Sequence, residues 1–133
     1  MKLGNTIHRA VIKITSGRKG WDAFGMPVLK LTTIGRKSGL ERTVMLTSPL
    51  QIDKGIVIVA SKGGASTHPE WFLNLVENSQ VIVETQSGRN EMAATVVDDE
   101  SREQLWNTIT KKFSNYGEYQ NKTERVIPLV ILS

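Results

Sequence analysis

The chain has 133 residues, no cysteine and two histidines, with 17 Lys/Arg against 13 Asp/Glu for a net charge of +4. This length suits one domain with one core, able to fold without covalent staples. The missing cysteines exclude disulfides, thiolate metal sites and cysteine nucleophiles and fit a reducing cytoplasm. His8 and His68 are too far apart for ligand spacing, so no protein-built metal site is expected.

The positive charge is uneven. Residues 1–42 hold nine Lys/Arg and two acids, whereas residues 43–133 hold eight Lys/Arg and eleven acids. A basic first third suggests an anionic partner such as a phosphate, a nucleic acid or a lipid head group. A well-solvated basic surface explains the same numbers.

Residues 1–26 read as an N-terminal amphipathic helix and a connector. Leu3, Ile7, Ala10, Val11 and Ile14 share one helical face, with Lys2, Arg9 and Lys13 elsewhere. Arg9 and Lys13 break any signal-peptide core, and no apolar run approaches the roughly 20 residues of a spanning helix. With Arg18 and Lys19, the segment 1–19 carries enough cations beside its apolar stripe to allow peripheral membrane contact.

Residues 27–133 form the second part of one domain. Runs rich in Val, Ile, Leu and Thr predict strands at 28–34, 42–52, 56–61, 81–86, 89–97 and 126–132. "DKG" (53–55) and "SGR" (87–89) read as hairpin turns. "THPEWFLNLVEN" predicts a helix opened by a capping box of Thr67 and Glu70, with Trp71, Phe72, Leu75 and Val76 as its buried stripe. A second helix over 99–113 starts at "DDE" and buries Leu105, Trp106, Ile109 and Phe113. Successive hairpins imply mostly antiparallel pairing. A small barrel, closed or half-open and flanked by about three helices, accounts for the pattern because closure removes free edges.

Two glycine loops carry the chemistry. "GRKSGLER" (35–42) sets Arg36, Lys37, Ser38 and Arg42 among glycines that free the backbone, a composition suited to a phosphate or several carboxylates. It has neither the Walker nor the dinucleotide-binding spacing. "VASKGGAS" (59–66) ends an apolar strand and leads into a helix, so its amides and Lys62 form a second anion nest. An extended polyanion uses both loops. Tyr116 and Tyr119, read as lying beyond the last helix, suit the wall of a site for a flat ligand. No Ser-His-Asp order and no paired carboxylates appear, so difficult chemistry here belongs to a cofactor.

Taken together, "VLKLTTIGRKSGLER", "VIVASKGGASTHPEWFLNL" and "YGEYQNKTERVIPLVIL" resemble the deazaflavin (F420)-dependent nitroreductase and quinone reductase family. The resemblance runs from about Pro27 to Ser133. It implies a mainly β, mostly antiparallel split barrel like that of the FMN-binding flavoproteins. It also implies coenzyme F420, whose phosphate and oligoglutamate tail are polyanionic, and a quinone, enone or nitroaromatic as hydride acceptor.

By the same resemblance, Arg36, Lys37, Ser38 and Arg42 hold the phosphate and tail, with Lys62 assisting, and Thr43 also contacts the cofactor. Val59, Ala60, Ser61, Lys62 and Gly63 line the ring, and Trp71 and Asn74 lie on the cofactor-contacting helix. Thr47, Tyr116 and Tyr119 face the substrate, with Ser61 and Tyr116 as candidates for polarising the acceptor.

Three other readings stay open at this level: an FMN-dependent enzyme on the same barrel, a protein that binds F420 without turnover, and a basic barrel for nucleic acid or lipid. Nucleic acid is not expected, because stacking platforms need aromatics on strands and here they fall on helices. Oligomeric state is not readable from the sequence.

Overall fold

The structure is a computed structural model that describes residues 22–23 and 25–133. The helix expected at 3–15 and its membrane contact lie outside these residues. The strands are β1 (Asp22–Ala23), β2 (Met26–Ile34), β3 (Glu41–Thr47), β4 (Leu50–Ile52), β5 (Gly55–Val59), β6 (Gln80–Thr85), β7 (Gly88–Val96) and β8 (Leu129–Leu132). Among the described residues the helices are α1 (Glu70–Glu77), α2 (Asp99–Lys112) and α3 (Asn115–Asn121), and a 3-10 turn spans Lys62–Gly64.

All of these strand pairs are antiparallel. They run in the order β1-β2-β6-β7-β8-β5-β4, and β3 pairs with β2 on the edge opposite β6. The outer strands β3 and β4 are joined through only Ser48 and Pro49. The two ends of the sheet therefore meet, curling it into the split half-barrel expected from the sequence.

That seam corrects one expectation. The run 42–52 was predicted as one strand, but it breaks where Pro49 has no N–H to offer a ladder. Buried Ser48 closes the corner: its N–H donates to Pro27 O (2.9 Å) and its hydroxyl to Val57 O (2.7 Å). β8 starts three residues later than predicted, after an exposed Val126 and the donor-less Pro128.

The barrel strands β5 and β8 are covered on both faces. In β5, Ile58 faces a cluster with Leu29, Leu31, Val83 and α1 residues Phe72 and Leu75. Val57 and Val59 face a second cluster with Ile109 of α2 and Tyr116 of α3. In β8, Val130 and Leu132 join the first cluster and Leu129 the second. Side chains alternate along a strand, so burial on both faces requires an unbroken apolar run, as in "GIVIV" and "LVIL".

The helices depart from expectation in three places. No capping box forms on α1: Pro69 is its N-cap, Thr67 Oγ1 accepts instead from Lys62 Nζ (3.1 Å), and Glu70 turns to Arg36. Val76 is 54% exposed, and Asn74, not Val76, completes the buried face. Tyr116 and Tyr119 do not trail the last helix in a loop; they form the short helix α3. α2 follows expectation, with the Asp98 carboxylate accepting from Ser101 N–H (2.8 Å) at its start and Lys111 and Lys112 in its last turn.

Candidate functional site

The β2–β3 turn is shaped by its glycines. Gly35 N–H donates to Leu40 O (2.7 Å) and Gly39 N–H to Gly35 O (2.8 Å). Gly39 takes a left-handed φ of +73°, at which an L side chain is strained. Ser38 Oγ ties the turn together, accepting from Leu40 N–H (3.1 Å) and Arg42 Nη2 (3.3 Å).

Asn74 of α1 anchors this turn to the barrel. Its Oδ1 accepts from Arg36 N–H (3.2 Å) and Arg36 Nη1 (2.9 Å), while its Nδ2 donates to Thr33 Oγ1 (3.2 Å). At 4% exposure, Asn74 could not be buried without such partners. Arg36 Nη2 completes its set with Glu70 Oε1 at 3.0 Å. The Arg36 guanidinium beside Glu70 holds that carboxyl below its ordinary range, and Lys37 and Lys62 add to the effect.

The second loop is held from the far end of the chain. Lys62, Gly63 and Gly64 have φ of +46°, +63° and +87°, three left-handed residues in succession. Arg125 clamps the segment: Nε donates to Ala65 O (2.8 Å), Nη1 to Ala60 O (3.1 Å) and Nη2 to Ser61 O (2.8 Å). Gln120 of α3 supports Arg125 in turn, donating from Nε2 to its carbonyl (2.7 Å).

The composition of "QNKTERVIP" singled out neither Arg125, whose carbonyl partners are up to 65 residues away, nor Gln120, whose role is to support it.

Arg125 Nη1 also lies 3.0 Å from His68 Nδ1. Burial lowers the His68 pKa from its ordinary 6.5, and Arg125 lowers it further. The unfolded chain therefore binds the extra proton more readily. His68 contributes stability that is present above pH 6.5 and declines as the pH falls through its lower folded pKa. Thermal melts between pH 7.5 and pH 5 should show a shallower acid-side loss for His68→Asn than for the parent; parallel curves would remove His68 from the linkage.

The two loops and α1 enclose a cleft of about 770 Å³. Its basic wall is Arg36, Lys37, Arg42 and Lys62, with Ser38 and Thr43 between them. Trp71 and Val44 supply apolar surface, Asn74 lies at the base, and the carboxylates are Glu41 and Glu70. Eight predicted residues thus converge: Arg36, Lys37, Ser38, Arg42, Thr43, Lys62, Trp71 and Asn74. Trp71, read first as core, is only half-buried and belongs to this lining.

The remaining predicted residues do not line it. Val59 and Ala60 are buried, and their backbone is consumed: Ala60 N–H donates to Pro128 O (3.0 Å) and Val59 sits in register with Leu129. Ser61 is half-buried, its carbonyl taken by Arg125 and by Gly64 N–H (2.9 Å). Gly63 is exposed on the outside of its turn.

Tyr116 is not an exposed wall but 6% accessible, in the second core cluster. Its hydroxyl meets Met26 Sδ (3.5 Å) and the Thr47 side chain, and its ring stands edge-on to Tyr119 at 5.9 Å. Burial raises its pKa, so the hydroxyl keeps its proton at neutral pH.

The sequence profile of F420H(2)-dependent quinone reductases matches residues 5–133. The chain belongs to this family. It is 36% identical to an F420H(2)-dependent quinone reductase of Mycobacterium tuberculosis over 131 residues, covering 96% of this chain and 87% of that one.

Its fold matches a solved F420-H2-dependent reductase, FDR-A, with a TM-score of 0.71 and 35% identity, over 80% of this chain and 94% of that one. It also matches a structure described as a domain-swapped dimer, with a TM-score of 0.72 and 30% identity, over 99% and 100% of the two chains. Among the described residues, no helix is long and apolar enough to cross a membrane.

Proposed function

We propose that the cleft binds coenzyme F420 and that the protein passes a hydride from the reduced cofactor to a small acceptor, a quinone by preference. The supporting observation is the convergence of Lys37, Arg42 and Lys62 on one cleft in a chain of this family. A volume of about 770 Å³ is within the range of small-molecule sites. Four cations against two carboxylates suit a ligand with several negative charges, and Trp71 offers a flat apolar surface beside them. The donor set therefore fits a polyanionic deazaflavin.

When bound, F420H2 supplies the hydride, a two-electron donor that needs no metal. This chain's residues bind and orient. Lys37, Arg42 and Lys62 form charge-assisted bonds to phosphate and carboxylates. Arg36 is less free than the sequence suggested, because Asn74 and Glu70 already occupy it. Its main work is to hold the turn that presents Lys37. Trp71 and Val44 shield one side of the cleft from water, which strengthens every charge interaction there.

Of the two hydroxyls read as polarisers of the acceptor, Ser61, although it does not itself line the cleft, adjoins the cleft-lining Lys62 and remains in this proposal. Tyr116 does not, because its hydroxyl is spent in the core.

Lys37→Ala and Arg42→Ala should each weaken F420 binding by about 1–3 kcal/mol, the loss of one charge-assisted bond. Fluorescence titration measures this, and unchanged affinity in both would move the anion site elsewhere. For turnover, purified protein mixed with F420H2 and a naphthoquinone should reoxidise the cofactor at a rate proportional to enzyme. No oxidation with naphthoquinones, enones or nitroaromatics would leave a binding protein instead of a reductase.

A further inference from the structure

Glu70 occupies a position where a carboxylate works against anion binding. It lies in the first turn of α1, one turn before Asn74, and its Oε1 sits 3.0 Å from Arg36 Nη2 inside the cationic cleft. Its side chain is 61% exposed, whereas that of Arg36 is 20% exposed. Arg36 is therefore fixed, and Glu70 is the partner that can rotate away into water. An exposed pair of this kind opens at little cost. The local capping role that "THPE" suggested for Glu70 goes unused, which leaves Arg36 as the one hydrogen-bond or ion-pair partner of its side chain among the described residues.

We propose that Glu70 sets the affinity and charge selectivity of the cleft, holding on Arg36 the place that a ligand's carboxylate or phosphate takes. This rests on the anion-cleft reading above. Two consequences follow from Coulomb's law. The carboxylate repels each ligand in proportion to the ligand's negative charge, and salt screens that repulsion over a Debye length that shortens from about 30 Å at about 0.01 M to about 3 Å at about 1 M. Glu70 therefore acts most on long, highly charged tails and least on a single phosphate.

Glu70→Gln isolates the charge, since the amide keeps the length of the side chain and an oxygen that accepts from Arg36. The parent and this variant are titrated with F420 of short and long glutamate tails, with FMN and with inorganic pyrophosphate, at low and high salt. E70Q should bind F420 about three- to tenfold more tightly at low salt. The gain should grow with tail length, be smaller for FMN and shrink at high salt.

Equal or weaker F420 binding by E70Q, with a parent that binds F420, would overturn the proposal and make Glu70 a support for Arg36. That result would leave the cofactor reading intact. If neither protein binds F420 but E70Q still binds pyrophosphate more tightly, the cofactor reading fails and the role of Glu70 stands. No gain with pyrophosphate in that case overturns both.

Discussion

Gly64→Ala should destabilise the fold by about 2–4 kcal/mol, a large share of a small domain's stability. At φ +87° an alanine is strained, and its Cβ would meet Tyr119 O at 2.6 Å and Lys122 Cβ at 3.0 Å. Tyr119 O belongs to the backbone of α3 and cannot swing aside as a flexible side chain can. Gly63→Ala is the internal control: its φ of +63° carries the same handedness penalty, but nothing lies within 4 Å of the added Cβ. It should cost about 1–2 kcal/mol. Denaturant unfolding of the pair separates handedness from the close approach to α3. Equal losses would mean that the contact between this turn and α3 matters little.

Arg125→Met should cost about 2–4 kcal/mol and also weaken anion binding, though Arg125 does not line the cleft. Methionine keeps much of the stem but donates to none of Ala60 O, Ser61 O and Ala65 O. Ala60 is fully buried, so its carbonyl is left without that donor. The loop that relaxes is the one holding Lys62 at a left-handed φ of +46°.

A double-mutant cycle tests whether Arg125 acts through Lys62. Lys62→Ala should weaken F420 binding in the parent and much less in the Arg125→Met background. Full additivity would make Arg125 a purely structural residue, and Arg125→Lys keeps the test open should the methionine variant fold poorly.

The contrast between Lys62 and Arg125 shows where sequence reading succeeds and stops. The cationic loops were legible because glycine and charge occur together locally, and each turn is built from neighbours such as Gly35, Ser38 and Gly39. Strands β5 and β8 were legible because burial on two faces leaves an unbroken apolar run. Pro49 carried a usable signal for the seam that the length of the run 42–52 obscured.

Asn74 carried one too. A polar residue on a buried helical stripe requires a partner, and Arg36 and Thr33 are that partner.

Other features had no local signature. Arg125 reaches across about 60 residues to its carbonyls, and "NKTER" looks like any solvated loop. The local pattern of Thr67 and Glu70 pointed to a capping box, but Lys62 and Arg36 took both side chains. α3 contains Gly117 and several weak helix formers, so tertiary packing of Tyr116 against Met26 and the second core cluster sustains it more than propensity does. That same packing withdraws Tyr116 from the ligand-facing role its spacing suggested.

The most direct test of the central claim is a paired fluorescence titration of the purified protein with F420 and with FMN, repeated on Lys37→Ala. Micromolar or tighter F420 binding, weaker FMN binding, and a loss of F420 affinity in the variant are the expected results. Tight FMN binding with none for F420, or F420 binding indifferent to Lys37, would contradict it.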